Sequence, residues 1–273
     1  MINSIVRKYL EIRYKEVEKF INDPIETQER ILTNLLAKGE FTLIGNQFAF
    51  GSLKNKDDFR KQVPVFQYET LRPYLDKIIK EKQTNVLWSQ PTKWFAMSSG
   101  TTEDRSKYIP VTKESLTGGH YKCGEQMLAI YTHNNPEARL FTGKTLVLGG
   151  SKQINNIGDS IFTGDISAIL IKNLGFLPSM ARTPESISLL PDWEEKLEKL
   201  KQYVLTHDIR ALMGVPSWML VLLKKIKEET GRSIAEICPN LEVFFHGGVS
   251  FTPFENQYRQ WNILRIRPDE RMG

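Results

Sequence analysis

Cysteine is almost absent from this chain of 273 residues: only Cys123 and Cys238 occur, far apart and without Cys-x-x-Cys spacing. That argues against a disulfide framework or a zinc site and leaves two reduced thiols. The histidines, His120, His133, His207 and His246, show no metal-ligand spacing, so no metal ligands are assigned. Charge of one sign is also scarce. Lys and Arg number 37 against 32 Asp and Glu, a formal net charge of +5 with a pI of about 9.0. A nucleic-acid binder concentrates its cations on a stripe, and none is found here. The densest basic run, Lys224 to Lys227, is neutralised by Glu228 and Glu229 and reads as a solvated helix end. The longest clean apolar run, Trp218 to Leu223, falls far short of the roughly 20 residues a membrane span requires. The opening residues hold no signal-peptide apolar block or cleavage site, so the expected location is cytoplasmic.

What is present is a globular composition, 40% hydrophobic and 25% charged, of a length that suits one large or two small domains. Ile5, Tyr9, Ile12, Val17 and Phe20 recur at helical intervals and predict an amphipathic helix. Asp23-Pro24 restarts the chain as N-cap and first helical residue, Ile25, Ile31, Leu32, Leu35 and Leu36 form the apolar face, and Gly39 stops the helix. A third helix is predicted from Gln67. Beyond Trp94 the texture changes to short apolar strands, 94–97, 145–148, 209–213 and 241–245, alternating with helices over 113–131, 193–206 and 217–229. That alternation predicts an α/β fold, with mixed sheets flanked by helices. Residues 155–191 carry no clear assignment.

The first predicted strand runs into Ser98-Ser99-Gly100-Thr101-Thr102-Glu103-Asp104-Arg105-Ser106-Lys107. A polyphosphate needs backbone amides it can approach, hydroxyl donors and a cation. Gly100 permits close approach, Ser98, Ser99, Thr101 and Thr102 supply the hydroxyls, and Lys107 supplies the cation. No second glycine precedes Lys107, so the loop is not a Walker sequence. A Gly-x-Ser-x-Gly elbow is missing too, which argues against a serine esterase.

The ordered string Ser-Ser-Gly-Thr-Thr followed by Ser-Lys-x-Ile-Pro-x-Thr resembles the first signature of adenylate-forming enzymes. Its form is most similar to the auxin-responsive Gretchen Hagen family of acyl-acid amido synthetases. Val63-Pro64-Val65, Tyr68-Glu69-Thr70-Leu71-Arg72-Pro73-Tyr74 and Cys238-Pro239-Asn240-Leu241-Glu242-Val243-Phe244-Phe245-His246-Gly247-Gly248 extend the likeness. The resemblance implies that Ser98, Ser99, Gly100, Thr101, Thr102 and Lys107 hold the β- and γ-phosphates of ATP, with Lys107 as the catalytic cation. It also implies that Gly247, Gly248 and Val249 form the turn against the adenine. Residue type alone favours reading that glycine pair as a tight turn, and only its place in the resemblance gives it the adenine role. Val215 and Trp218, in Met213-Gly214-Val215-Pro216-Ser217-Trp218, fall where relatives line the acyl pocket, with Ser217 as the expected helix cap. Trp218 is either that wall or core packing. Tyr121, Met127 and Phe162 are further pocket candidates, and His120 and His246 are either surface residues or neighbours of a ligand.

The implied reaction uses ATP and Mg2+ to activate a carboxylic acid as an acyl-adenylate, which an amine or amino acid converts to an amide. Acyl-CoA-type ligation and a noncatalytic remnant are the alternatives. The likeness spans most of the chain up to about Tyr258, and residues 1–260 are read as a partial N-terminal adenylation domain with a helical lead-in over 1–90 and an α/β portion over 91–260. The metal-serving acidic motif, the ribose aspartate and the closing C-terminal domain of the family find no counterpart. Residues 261–273 depart from the family, and the expectation is a truncated or frameshifted reading frame.

Overall fold

A computed structural model describes residues 2–98, 107–150, 154–157, 160–175 and 181–261. In chain order the helices are α1 (Ile2–Asn22), α2 (Pro24–Gly39), α3 (Leu43–Gln47), α4 (Lys56–Gln62), α5 (Tyr68–Ile79), α6 (Lys122–Asn134), α7 (Ile166–Lys172), α8 (Glu185–Ser188), α9 (Trp193–Thr206), α10 (Pro216–Thr230), α11 (Ile234–Ile237) and α12 (Glu255–Gln260). The strands are β1 (Trp94–Ser98), β2 (Lys107–Val111), β3 (Lys144–Leu148), β4 (Asn155–Asn156), β5 (Phe162–Gly164), β6 (Ile209–Gly214) and β7 (Val243–His246). They form two compact units, one of Met1–Lys8, Asn135–Gln153 and Leu170–Gly273, the other of Tyr9–Asn134 and Ile154–Ile169. The α/β class expected from the sequence is the class observed.

The unit holding residues 135–153 and 170–273 is built on a parallel sheet of order β3-β6-β7. The middle strand β6 has Ile209, Ala211 and Leu212 at 2% exposure or less, the near-continuous burial expected of a parallel strand covered on both faces. Helix α9 brings Leu197, Leu200 and Val204 to this core, and α10 brings Met219, Leu222, Leu223 and Ile226, each a single stripe at helical spacing. Each such side chain contributes roughly 2 kcal/mol by leaving water. Helix α10 begins with Pro216 in its first turn and ends where Gly231, at φ 65°, donates its amide to the Lys227 carbonyl. Its N-cap is Val215, not Ser217, which lies inside the helix. Proline needs no amide partner at that position, and so the helix starts two residues earlier than a Ser217 cap would start it.

The other unit carries a mixed sheet of order β2-β1-β5-β4. β1 runs antiparallel to β2 and parallel to β5, with Phe95 fully buried among Leu75, Ile78, Val86 and Ile161. Residues 113–131, expected as one helix, divide into a π-helical stretch Ser115–Tyr121 and α6. The α1 face is also rotated from expectation. Ile12 is 63% exposed while Leu10 and Val17 are buried. The polar side of α1 instead meets α6: Glu16 pairs with Lys122 at 3.0 Å, Arg13 with Glu125 at 3.2 Å, and the Tyr9 hydroxyl donates to Glu125 at 2.8 Å. The hydrogen bond from Lys122 holds the Glu16 carboxyl below its ordinary pKa, aided by one from Arg13. In α2, Ile25, Ile31 and Leu35 are likewise exposed, and Leu36 is the member of the expected face that is buried.

Glycine is required at one place in the parallel sheet. Gly214 ends β6 at φ 155°, and a Cβ there would lie 2.7 Å from the Leu148 carbonyl oxygen. Gly214→Ala should lower the unfolding free energy by about 1–3 kcal/mol, read from the midpoint of a urea transition.

Candidate functional site

The loop singled out in the sequence is the connection of a hairpin. β1 and β2 pair from Trp94↔Val111 to Ser98↔Lys107, so Ser98 and Lys107 face each other across its foot. Ser99, Gly100, Thr101 and Thr102 lie outside the described residues. β2 itself was hidden from the sequence reading because Pro110 and Lys107 break its apolar pattern. The foot is braced by the first residue of α5. The Tyr68 hydroxyl accepts the Tyr108 amide at 2.8 Å, and the Lys107 ammonium stands 5.4 Å from the Tyr68 ring centroid. Such a contact orients the cation without neutralising it. In the sequence Tyr68 stood out as an apolar position of the third helix and as the start of a string shared with the resembled family, with no sign of its contact with β2. A phenol on the first turn, with a ring for the core and an oxygen for the next strand, is the signal that could have found it.

The second assembly lies at the carboxyl ends of β3, β6 and β7, which stop in line: Leu148 is registered with Gly214, and Gly214 with His246. In open α/β sheets that end is where ligands bind. The chain leaves β7 through Gly247 and Gly248. Gly248 adopts φ 85°, and a Cβ on it would lie 3.4 Å from the Val215 Cγ2. A Cβ on Gly247 would meet nothing within 4 Å. The structure therefore joins Val215 to the glycine pair and leaves one glycine face open. Val249 follows at 47% exposure. Trp218, on the first turn of α10, is 39% exposed and packs edge-on to Trp193 at a centroid distance of 6.0 Å.

An aromatic stack underlies this turn. The His246 ring lies 4.4 Å from that of Phe251 and 5.4 Å from that of Phe244. Phe244 and Phe251 each approach Tyr258 at 5.3 Å, and the buried Tyr258 hydroxyl donates to the Pro216 carbonyl at 2.7 Å. That bond ties α12 to the first turn of α10, next to Val215. Partial burial lowers the His246 pKa, and desolvation raises that of Tyr258. Tyr258 had no distinguishing mark in the sequence, since only its tertiary surroundings make it a strut.

His133 stacks on Tyr14 at 3.6 Å and His207 on Tyr203 at 4.0 Å, so both have structural neighbours, while His120 is exposed. Phe162 packs on Trp94 at 4.8 Å, and Met127 is 37% exposed. Tyr121 closes the π-helical stretch. Cys123 is exposed, and Cys238 is buried with its thiol pKa pushed up to about 12, chiefly by desolvation. Among the described residues no three His, Cys, Asp or Glu side chains form a group that could hold a metal ion, and no helix is long and apolar enough to cross a membrane.

Comparison with known proteins agrees with this architecture. The family model described as "GH3 family N-terminal domain" matches residues 13–262. A jasmonoyl–L-amino acid synthetase, JAR4 of Nicotiana attenuata, is 23% identical over 190 residues, covering 67% of this chain and 32% of that protein. The indole-3-acetic acid-amido synthetase GH3.15 of Arabidopsis thaliana is 25% identical over 224 residues, covering 79% of this chain and 36% of its own length. The chain thus spans about a third of these curated relatives. A solved GH3.15 acyl acid amido synthetase superposes with a TM-score of 0.66 at 21% identity, over 83% of this chain and 40% of that one. A second, in complex with 2,4-DB, gives 0.67 at 20% identity, over 86% and 40%. At that identity the likeness establishes the fold.

Two measurements check these assemblies. Tyr68→Phe keeps the ring beneath Lys107 but removes the acceptor for the Tyr108 amide. It should cost about 1 kcal/mol of stability and speed exchange of that amide. The lowered His246 pKa means that the folded chain binds fewer protons than the unfolded chain just below the ordinary value of 6.5. This contribution to stability is present above pH 6.5 and is lost as the pH falls through the folded pKa. Between pH 7.5 and 5.5 the melting temperature of His246→Gln should therefore fall less than that of the parent.

Proposed function

The chain belongs to the GH3 family, and from that membership we propose that it forms the acid- and nucleotide-binding part of an acyl-acid amido synthetase. The substrates are ATP, a carboxylic acid and an amine or amino acid. In the first step a carboxylate oxygen attacks the α-phosphorus of ATP, a P–O bond forms, and pyrophosphate leaves. In the second, the amine nitrogen attacks the acyl carbon of the acyl-adenylate, AMP leaves with the bonding pair, and the nitrogen loses its proton.

The observation that carries this reading is the Gly247–Gly248 turn, with one glycine face open and the other against Val215, at the carboxyl ends of parallel strands. A purine lying flat on a chain needs a surface without a Cβ, and Gly247 supplies one. Val249 would border the base, while Val215 and Trp218 would offer apolar contact to the acid. Lys107 would offset charge on the β- and γ-phosphates, with Ser98 and the hydroxyl-bearing residues Ser99, Thr101 and Thr102 as donors around Gly100. Mg2+ would travel with the phosphates of the nucleotide, supplying charge neutralisation.

The test is carboxylate-dependent exchange of radiolabelled pyrophosphate into ATP. Lys107→Ala should reduce exchange about 100-fold, the usual loss when a group stabilising transition-state charge is removed, while leaving the melting temperature nearly unchanged. Full exchange in that variant would remove Lys107 from the reaction. ATP binding without exchange would restrict the proposal to nucleotide binding.

A further inference from the structure

Helix α12 carries one aromatic side chain to which the proposed chemistry gives no part. Tyr258 is 0% exposed, and its ring and hydroxyl serve different contacts. The ring lies 5.3 Å from those of Phe244 and Phe251, which precede and follow the Gly247–Gly248 turn in the chain. The hydroxyl donates at 2.7 Å to the carbonyl of Pro216, 42 residues earlier. Pro216 follows Val215, and Gly248 closes on Val215, since a Cβ on that glycine would lie 3.4 Å from the Val215 Cγ2. One side chain therefore touches the strand before the turn, the chain after it and the helix end behind it.

That helix end lacks the usual fastening. Val215 is the N-cap of α10 and makes no side-chain cap hydrogen bond, and Pro216 has no amide to donate. The first turn closes through the Met219 amide, which donates to the Val215 carbonyl at 3.0 Å. A carbonyl oxygen has two lone pairs, so the Pro216 oxygen can serve its own helix and still accept the phenol. A buried hydroxyl left without an acceptor is unfavourable, which holds the phenol to that oxygen.

We propose that Tyr258 is a positioning residue: through Pro216 it holds Val215 against Gly248, and so keeps the open face of Gly247 set to receive a purine base. This rests on the proposed function, in which that turn carries the adenine of ATP. A surface held in its binding shape beforehand loses less freedom when the ligand arrives, and affinity rises accordingly. Without the phenol oxygen the first turn of α10 loosens, Val215 no longer backs the turn at a fixed distance, and the base meets several conformations instead of one. In the same reading the phosphates rest on the hairpin residues, so the loss falls on the base.

The test uses the whole chain as Tyr258→Phe, which keeps the ring and removes the hydroxyl, as Val215→Ala, and as the two combined. ATP and adenosine, which share a base and a sugar, are titrated calorimetrically well below the melting temperature, and hydrogen exchange of the Met219 amide is followed in parallel. Tyr258→Phe should unfold cooperatively, exchange that amide about fivefold faster, and bind ATP and adenosine more weakly by one common factor of about five, the effect of a single hydrogen bond. In the Val215→Ala background the same substitution should change neither affinity, because the residue it acts through has been cut back. A merely structural role would weaken both backgrounds alike. Equal losses in the two backgrounds, a larger loss for ATP than for adenosine, or loss of cooperative unfolding in Tyr258→Phe would overturn the proposal. Unchanged affinities, with a parent chain that binds both probes, would overturn the role of Tyr258 alone. A parent chain that binds neither probe would overturn the proposed function and the role of Tyr258 with it.

Discussion

The approach of Gly214 to the Leu148 carbonyl governs how the parallel sheet ends. A side chain at Gly214 would push β6 away from β3, and because β7 is registered on β6, the displacement would pass to His246 and the glycine pair behind it. Backbone contact therefore sets the line along which three strands stop. Val215 then caps α10 immediately beyond β6, and the hydroxyl of Tyr258 secures the first turn of that helix. The geometry of the turn after β7 is thus inherited from the sheet.

The hairpin of the other unit follows a different logic. Its foot is ordered by one aromatic side chain that accepts a backbone hydrogen bond through its oxygen and faces a cation with its ring. Phe95, two positions from the Met97–Tyr108 pair, anchors the same strand in the apolar core. The pair Ser98 and Lys107 consequently stands on a fixed base, which is what a loop that grips a polyanion needs at its ends.

Much of this was legible in the sequence, for identifiable reasons. α9 was located at its observed limits because Leu197, Leu200 and Val204 keep helical spacing, and three of the four predicted strands coincide closely because their apolar runs are short and bounded. The Gretchen Hagen likeness rested on the string from Ser98 to Thr112, on the stretches Val63 to Val65 and Tyr68 to Tyr74, and on the segment ending at Gly248. What stayed hidden depends on partners distant in the chain. The orientation of α1 follows Lys122 and Glu125 rather than its own isoleucines. β2 is a strand because β1 pairs with it, despite Pro110. Tyr68 and Tyr258 acquire roles only through contacts with Tyr108 and Pro216. Periodicity gives no account of such contacts.

The two cysteines, unremarkable in the sequence, become chemically unequal once folded. Cys238 is enclosed, and with its pKa pushed up to about 12 it is almost entirely protonated at neutral pH, with roughly one thiolate in a hundred thousand. Cys123 is exposed on α6. An alkylating probe or a spin label can therefore be directed to a single address on the native chain without mutating the other thiol, and delayed reaction at the enclosed position becomes a clock for the opening of the parallel-sheet unit.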